Sequence, residues 1–197
     1  MMKSFCKIKN VPLRWFDISR LQGCLVIAVL LGCQKVKPEF IAIPEYPDLK
    51  EVYSSQAVAL GTRSLNKDVS IGDKSESKTM SMDSLKWKDE LSFLLEMNPN
   101  QSEYVGVFAI VEDGKAKTLT LKEGEKSILK NISFTSAGES YSRITATIHE
   151  DKDVYVHHRE IEIAFENGLI KSWNIQGYQK MVFSDVVKFE IDCQIAN

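Results

Sequence analysis

The chain reads as an α+β protein in which a curved antiparallel meander of about seven strands is covered on one face by two N-terminal helices. Three observations predict this. Apolar residues recur twice at helical spacing before residue 100, the apolar period drops to two from residue 103 onward, and the joints between the later runs are two to five residues long. Joints that short connect only antiparallel neighbours, because a parallel return needs a dozen residues or more.

The first helix is expected near 48–60. Leu49, Val52, Tyr53, Ala57 and Leu60 share one face, and Gly61 follows as a C-cap. Residues 67–80 then carry a Gly72-Asp73 turn between two short strand-like pieces, which predicts a hairpin. Ser81 or Ser84 can cap a second helix, with Trp87, Leu91, Leu94, Leu95 and Asn98 along one face and Asn98-Pro99-Asn100 as its stop. Such a stripe is the face that covers a sheet.

Strands are expected at 103–111, 115–121, 127–135, 141–149, 154–165, 169–178 and 181–195. Turn-like joints fall at Glu112-Asp113-Gly114, at Asn167-Gly168 and in the three short stretches 122–126, 136–140 and 150–153. Within 143–148, Ile144, Ala146 and Ile148 alternate with Arg143, Thr145 and Thr147, so one face is buried and the other wet. Apolar parity is even at Val154 and Val156 but odd at Ile161, Ile163 and Phe165. A β-bulge or strand break across His157–Glu160 would account for that slip.

With 197 residues, 44% of them hydrophobic and 26% charged, the chain can build one real core. The formal charge of −2 is uneven. Residues 1–32 hold Lys3, Lys7, Lys9, Arg14 and Arg20 against Asp17; without them 20 basic and 26 acidic residues remain, about −6. So acidic a body, lacking a basic cluster, argues against nucleic acid as a partner.

The N-terminal order is that of a secretory signal: a basic stretch 1–22, a ten-residue apolar run 23–32 (GCLVIAVLLG), and a small residue, Gly32, before Cys33. Ten apolar residues fall short of the roughly 20 that span a bilayer. Leu30-Leu31-Gly32-Cys33 resembles the lipobox of bacterial lipoproteins. The resemblance implies that the signal 1–32 is cut between Gly32 and Cys33 and that the Cys33 thiol carries acyl chains, the membrane being the partner. At about 0.8 kcal/mol per buried methylene, two or three chains hold a protein on a membrane almost permanently. Gln34 in place of aspartate lacks the retention signal of enteric inner membranes, and Lys35-Val36-Lys37 lacks an acidic export cluster. The expected location is therefore the bacterial outer membrane, facing the periplasm. Residues 33–47, with Pro38, Pro44 and Pro47, read as a lipidated tether to a domain over 48–197.

The runs SIGDKSESKTMSMDSLKWKDEL and GYQKMVFSDVVKFEI resemble uncharacterised small Bacteroidota lipoproteins, a group that implies no activity. The element order is also similar to that of periplasmic half-barrel lipid carriers and lipocalin-like cups, an analogy of topology.

Chemistry is sparse along the chain. There is no G-x-S-x-G, H-E-x-x-H, paired C-x-x-C or phosphate loop, so no enzyme and no cofactor is expected. Once Cys6 and Cys24 leave with the signal and Cys33 is alkylated, Cys193 stands alone on the apolar side of the last strand as a buried small hydrophobe. Ser184-Asp185 reads as a turn or bulge rather than a nucleophile, with no histidine at a fixed local relation to it. His149, Glu150, Asp151, Asp153, His157 and His158 gather around one joint, and a turn at 151–153 would put His149 and His157 on one face, a conceivable surface zinc site that ordinary solvation of an acidic turn explains better. The function expected is a lipid-anchored exported binding or interaction module. The alternative is a carrier of an apolar ligand, with Trp173, Tyr178, Met181 and Phe183 as its lining.

Overall fold

The computed structural model describes residues 46–196; the signal 1–32, Gly32, Cys33 and most of the tether lie outside them. Helix α1 (Leu49–Ala59) leads into strands β1 (Ser64–Ile71) and β2 (Lys74–Ser81). Two short helices follow, α2 (Ser84–Glu90) and α3 (Phe93–Glu96), then a 3₁₀ turn at Ser102–Tyr104. Strands β3 (Phe108–Asp113), β4 (Ala116–Leu121), β5 (Leu129–Ala137), β6 (Ser140–Lys152), β7 (Tyr155–Glu166), β8 (Leu169–Met181) and β9 (Val187–Ala196) complete the chain. All nine strands form one open antiparallel sheet in the order β2-β1-β9-β8-β7-β6-β5-β4-β3.

The expected count of seven is thus nine, because the 67–80 hairpin joins the meander by pairing β1 with β9. That contact links the two ends of the domain, and nothing local in either segment announces it. The last two strands also divide later than expected. β8 runs on to Met181, and the turn falls at 182–186, where the amides of Phe183 and Ser184 both donate to the Met181 carbonyl. The first strand begins at Phe108 rather than 103, after Gly106 takes a left-handed φ of 75°.

Asp83 rather than Ser81 or Ser84 caps the second helix, accepting from Leu85 N at 2.9 Å and Lys86 N at 3.0 Å. The bond from Lys86 N, ahead of that from Leu85, holds its carboxyl below the usual aspartate range. The single helix expected there is two. The Ser92 hydroxyl donates to the Asp89 carbonyl at 2.8 Å, and the amides of Leu94 and Leu95 switch to bonds three residues back. The break turns Phe93 inward, 6.1 Å from the Trp173 ring, and leaves Leu95 exposed instead of on the buried stripe.

The core follows from register. Directly paired residues cross the sheet in rows, and the row Lys67, Cys193, Trp173, Ile163, Ile144, Phe134 lies under the helices. The next row runs from Ile191 through Ile175, Ile161, Ala146 and Ile132 to Leu119. Trp87 is fully buried between helix and sheet and donates its indole N–H to the Gly61 carbonyl at 2.9 Å. Buried Gln56 ties α1 to the sheet: its Nε2 donates to Gly168 O and its Oε1 accepts from Ile170 N, both at 2.8 Å. Asn100 donates to the carbonyls of Tyr46 and Pro47, so the last two residues of the expected tether are fixed to the domain. No helix among the described residues is long and apolar enough to cross a membrane.

Gly177 is a point of close backbone approach. A Cβ there would lie 2.0 Å from the His158 carbonyl oxygen and 3.0 Å from the Phe189 ring, which covers the glycine from the paired position on β9. Gly177→Ala should cost about 2–4 kcal/mol, read as a lower urea midpoint, because a backbone oxygen cannot move aside as a side chain can.

Candidate functional site

The face under the helices continues beyond them. Past the two buried rows, Ile71, Phe189 and Gly177 pair in a third, and Val187 with Gln179 in a fourth, with Ile71 53% and Val187 43% exposed. Strand alternation commits these residues to the apolar side whether or not a helix covers them.

At the β1–β2 edge of the sheet the same face is open across several rows, from Met80 through Lys67 and Val69 to Ile71, and forms a groove of about 710 Å³. Val69, Ile71 and Met80 form its floor, and Lys74, Glu76 and Lys78 of β2 form its outer wall. Lys67 Nζ, 2.7 Å from Glu90 Oε2 on α2, sits among the residues that line it. An apolar floor with charged groups at its edge suits a ligand or partner that is apolar along one side and ionic at its margin.

A polar cluster lies farther along the same face. Arg159 Nη2 is 2.9 Å from Glu96 Oε2 at the end of α3, while its buried Nε has no hydrogen-bond partner among the described residues. His157 stands in the neighbouring row, its ring 5.7 Å from Phe189. Burial, and then the charge of Arg159, hold the His157 imidazole below its ordinary 6.5.

The histidines separate by one residue from the expected arrangement. The turn falls at Asp153-Val154, so His149 pairs with His158 and Glu150 with His157. His149 and His157 therefore lie on opposite faces. His149, His158 and Tyr178 form a ring ladder across β6, β7 and β8 on the polar face, with centroid spacings of 5.6 and 5.3 Å. Among the described residues no group of three or more histidine, cysteine or acidic side chains is placed to hold a metal ion. Pairing is unbroken across His157–Glu160, so the expected bulge is absent there. The register shift lies at Ala164/Phe165, and the parity change arises because Val154 sits in the turn and Val156 on the polar face.

Of the expected apolar lining, Trp173 is buried against Phe93, Tyr178 stands on the opposite face, and Met181 and Phe183 lie at the exposed β8–β9 turn. Val69, Ile71, Met80 and Phe189 take that place on the uncovered face, and the parity of β1 and β9 was the signal for them. Cys193 is buried, burial raising its thiol to about 12, and Ser184 Oγ bonds back to Met181 within the turn.

The chain matches no family model, no curated protein and no solved structure.

His157 sets a pH dependence whose sign follows from its lowered value. Both folded and unfolded states hold it neutral well above 6.5; as pH falls through that value the unfolded chain takes up the proton first, so stability is lost on acidification. Between about pH 7.5 and 5.5 the urea midpoint should fall, and His157→Gln should flatten that fall.

Proposed function

We propose that the chain is a lipid-anchored, exported binding module without catalytic activity, whose binding surface is the uncovered part of the helix-side face, centred on the β1–β2 groove. The observation that carries the binding reading is the groove itself, about 710 Å³, where Val69, Ile71 and Met80 lie together with Lys67, Lys74, Glu76 and Lys78 around them. The anchor rests on the lipobox and its cysteine, Cys33, and the location on the residues after it: the outer membrane, facing the periplasm.

A second reading, a carrier of an apolar ligand, draws on the same groove. The open sheet, with β2 and β3 as its edges, favours a half-barrel trough over a closed lipocalin-like cup.

Mass spectrometry of the full chain expressed in a bacterial membrane tests the anchor: a mature chain beginning at an acylated Cys33, and an uncleaved Cys33→Ala variant, are expected. A chain that keeps residues 1–32, or is cut elsewhere without lipid, contradicts it. For the groove, an environment-sensitive naphthylamine dye should bind and brighten, and Ile71→Glu should weaken that binding about tenfold or more, because the new charge sits on the apolar floor.

A further inference from the structure

We propose that β2 is a self-complementary edge through which two copies of this chain join their sheets, antiparallel about a two-fold axis at Ser77.

The edge is built for pairing. β2 is eight residues long, pairs with β1 without a bulge and contains no proline. Gly72 N–H donates to the Lys188 carbonyl at 2.9 Å, so even-numbered residues at this end of β1 turn their backbone groups toward β9 and odd-numbered ones toward β2. Lys74, Glu76, Lys78 and Met80 are spent on β1 in consequence. The backbone groups of Ser75, Ser77 and Thr79 point outward from the free edge. Ser81 marks where the edge closes, its carbonyl accepting from Lys86 Nζ at 2.8 Å.

Charge selects one register. An edge guarded by charge of a single sign repels a second copy in every alignment. Here the groove-side order is Lys74, Glu76, Lys78. Pairing about Ser77 sets Glu76 opposite Lys78 of the second copy and Lys78 opposite its Glu76, with Ser75 opposite Thr79 on the other face. A shift of two residues one way brings Glu76 opposite Glu76 and Lys74 opposite Lys78, and the other way brings Lys78 opposite Lys78. Opposite charges directly across a strand pair attract and like charges repel, so the Ser77-centred alignment stands alone among those that use the whole edge. It is also isologous and closes on itself, which leaves no open chain of copies. Both grooves then lie on the same side of the joined sheet, flanking the axis.

Charge exchange between copies tests this, using the full chain in sedimentation velocity up to about 200 μM, since edge pairing buries little area and is weak. Wild type should dimerise. Glu76→Lys alone and Lys78→Glu alone should each lose self-association at least tenfold, while an equimolar mixture of the two should restore it, because each then presents the charges the other lacks. Both positions lie on the exposed strand, and circular dichroism should show both variants folded. Ser77→Pro, which removes one outward amide and no bond to β1, should remove the dimer in the wild-type background. A monomeric wild type, a dimer indifferent to either charge reversal, or a mixture no better than its components would overturn the proposal. Association through acyl chains on Cys33 is common to every variant and cancels from the comparison between them, and only pairing along β2 makes the mixture of the two groove-wall variants associate better than either alone.

Discussion

The register of β6 on β7 is the constraint on which the rest of the molecule depends. The two-residue turn at Asp153-Val154 pairs Lys152 with Tyr155, and every pairing inward from it places even residues of β6 and odd residues of β7 on the helix side. Ile144, Ala146, Ile148, Ile161 and Ile163 are buried as a result. A slip of one residue between them would turn one strand's set out to water. At about 1.5–3 kcal/mol per large apolar side chain, exposing three or four would consume most of a domain's net stability of roughly 5–15 kcal/mol. Strong specification at this hairpin propagates outward through β8, β9 and β1, each paired in turn, and so decides which residues of the distant β1–β2 hairpin face the groove.

Length explains why part of that face stays open. At about 3.3 Å per residue, strands of 12 and 13 residues such as β7 and β8 extend about 40 Å. The helices above them have 11, 7 and 4 residues, which at about 1.5 Å per residue gives roughly 16, 10 and 6 Å. A layer of that size covers the rows through Trp173 and Ile175 and stops. Beyond it along the strands, Phe189 lies over Gly177 and Arg159 extends to Glu96; toward the β1–β2 edge, where Lys67 continues the Trp173 row and Val69 the Ile175 row, a groove opens. The groove lies at the β1–β2 edge of a face that alternation makes apolar, where the helix layer does not extend far enough across the sheet to close it.

The parts of the fold legible in the sequence are those set by neighbours in the chain. The first helix with Gly61 after it, the Gly72-Asp73 hairpin, the Asn167-Gly168 turn and the burial of Cys193 all follow from local pattern. The joining of β1 to β9 was not legible, because it rests on a pairing across more than a hundred residues. The split at Leu91-Ser92 was hidden because Leu91 and Leu94 keep helical spacing, while the inward turn of Phe93 depends on Trp173. His149 and His157 were assigned to one face because an acidic joint offers several turn positions, and moving the turn by one residue changes which histidine faces which way. The groove was foreshadowed only as apolar parity in β1 and β9, without any sign that a helix would fail to cover it.

Proton NMR of the β6–β7 hairpin tests the register most directly. Residues paired without mutual hydrogen bonds bring their α-carbons to about 4.5 Å, close enough for a strong contact between α-protons. His149 donates its amide to Ile128 on the β5 side, so it is such a residue toward β7. A strong α-proton contact between His149 and His158, and another between Asp151 and Val156, is the result the structure requires. A contact between His149 and His157 instead would shift the hairpin by one residue, exchange the two faces of one strand and remove the basis for the buried core, the groove and the outward edge of β2.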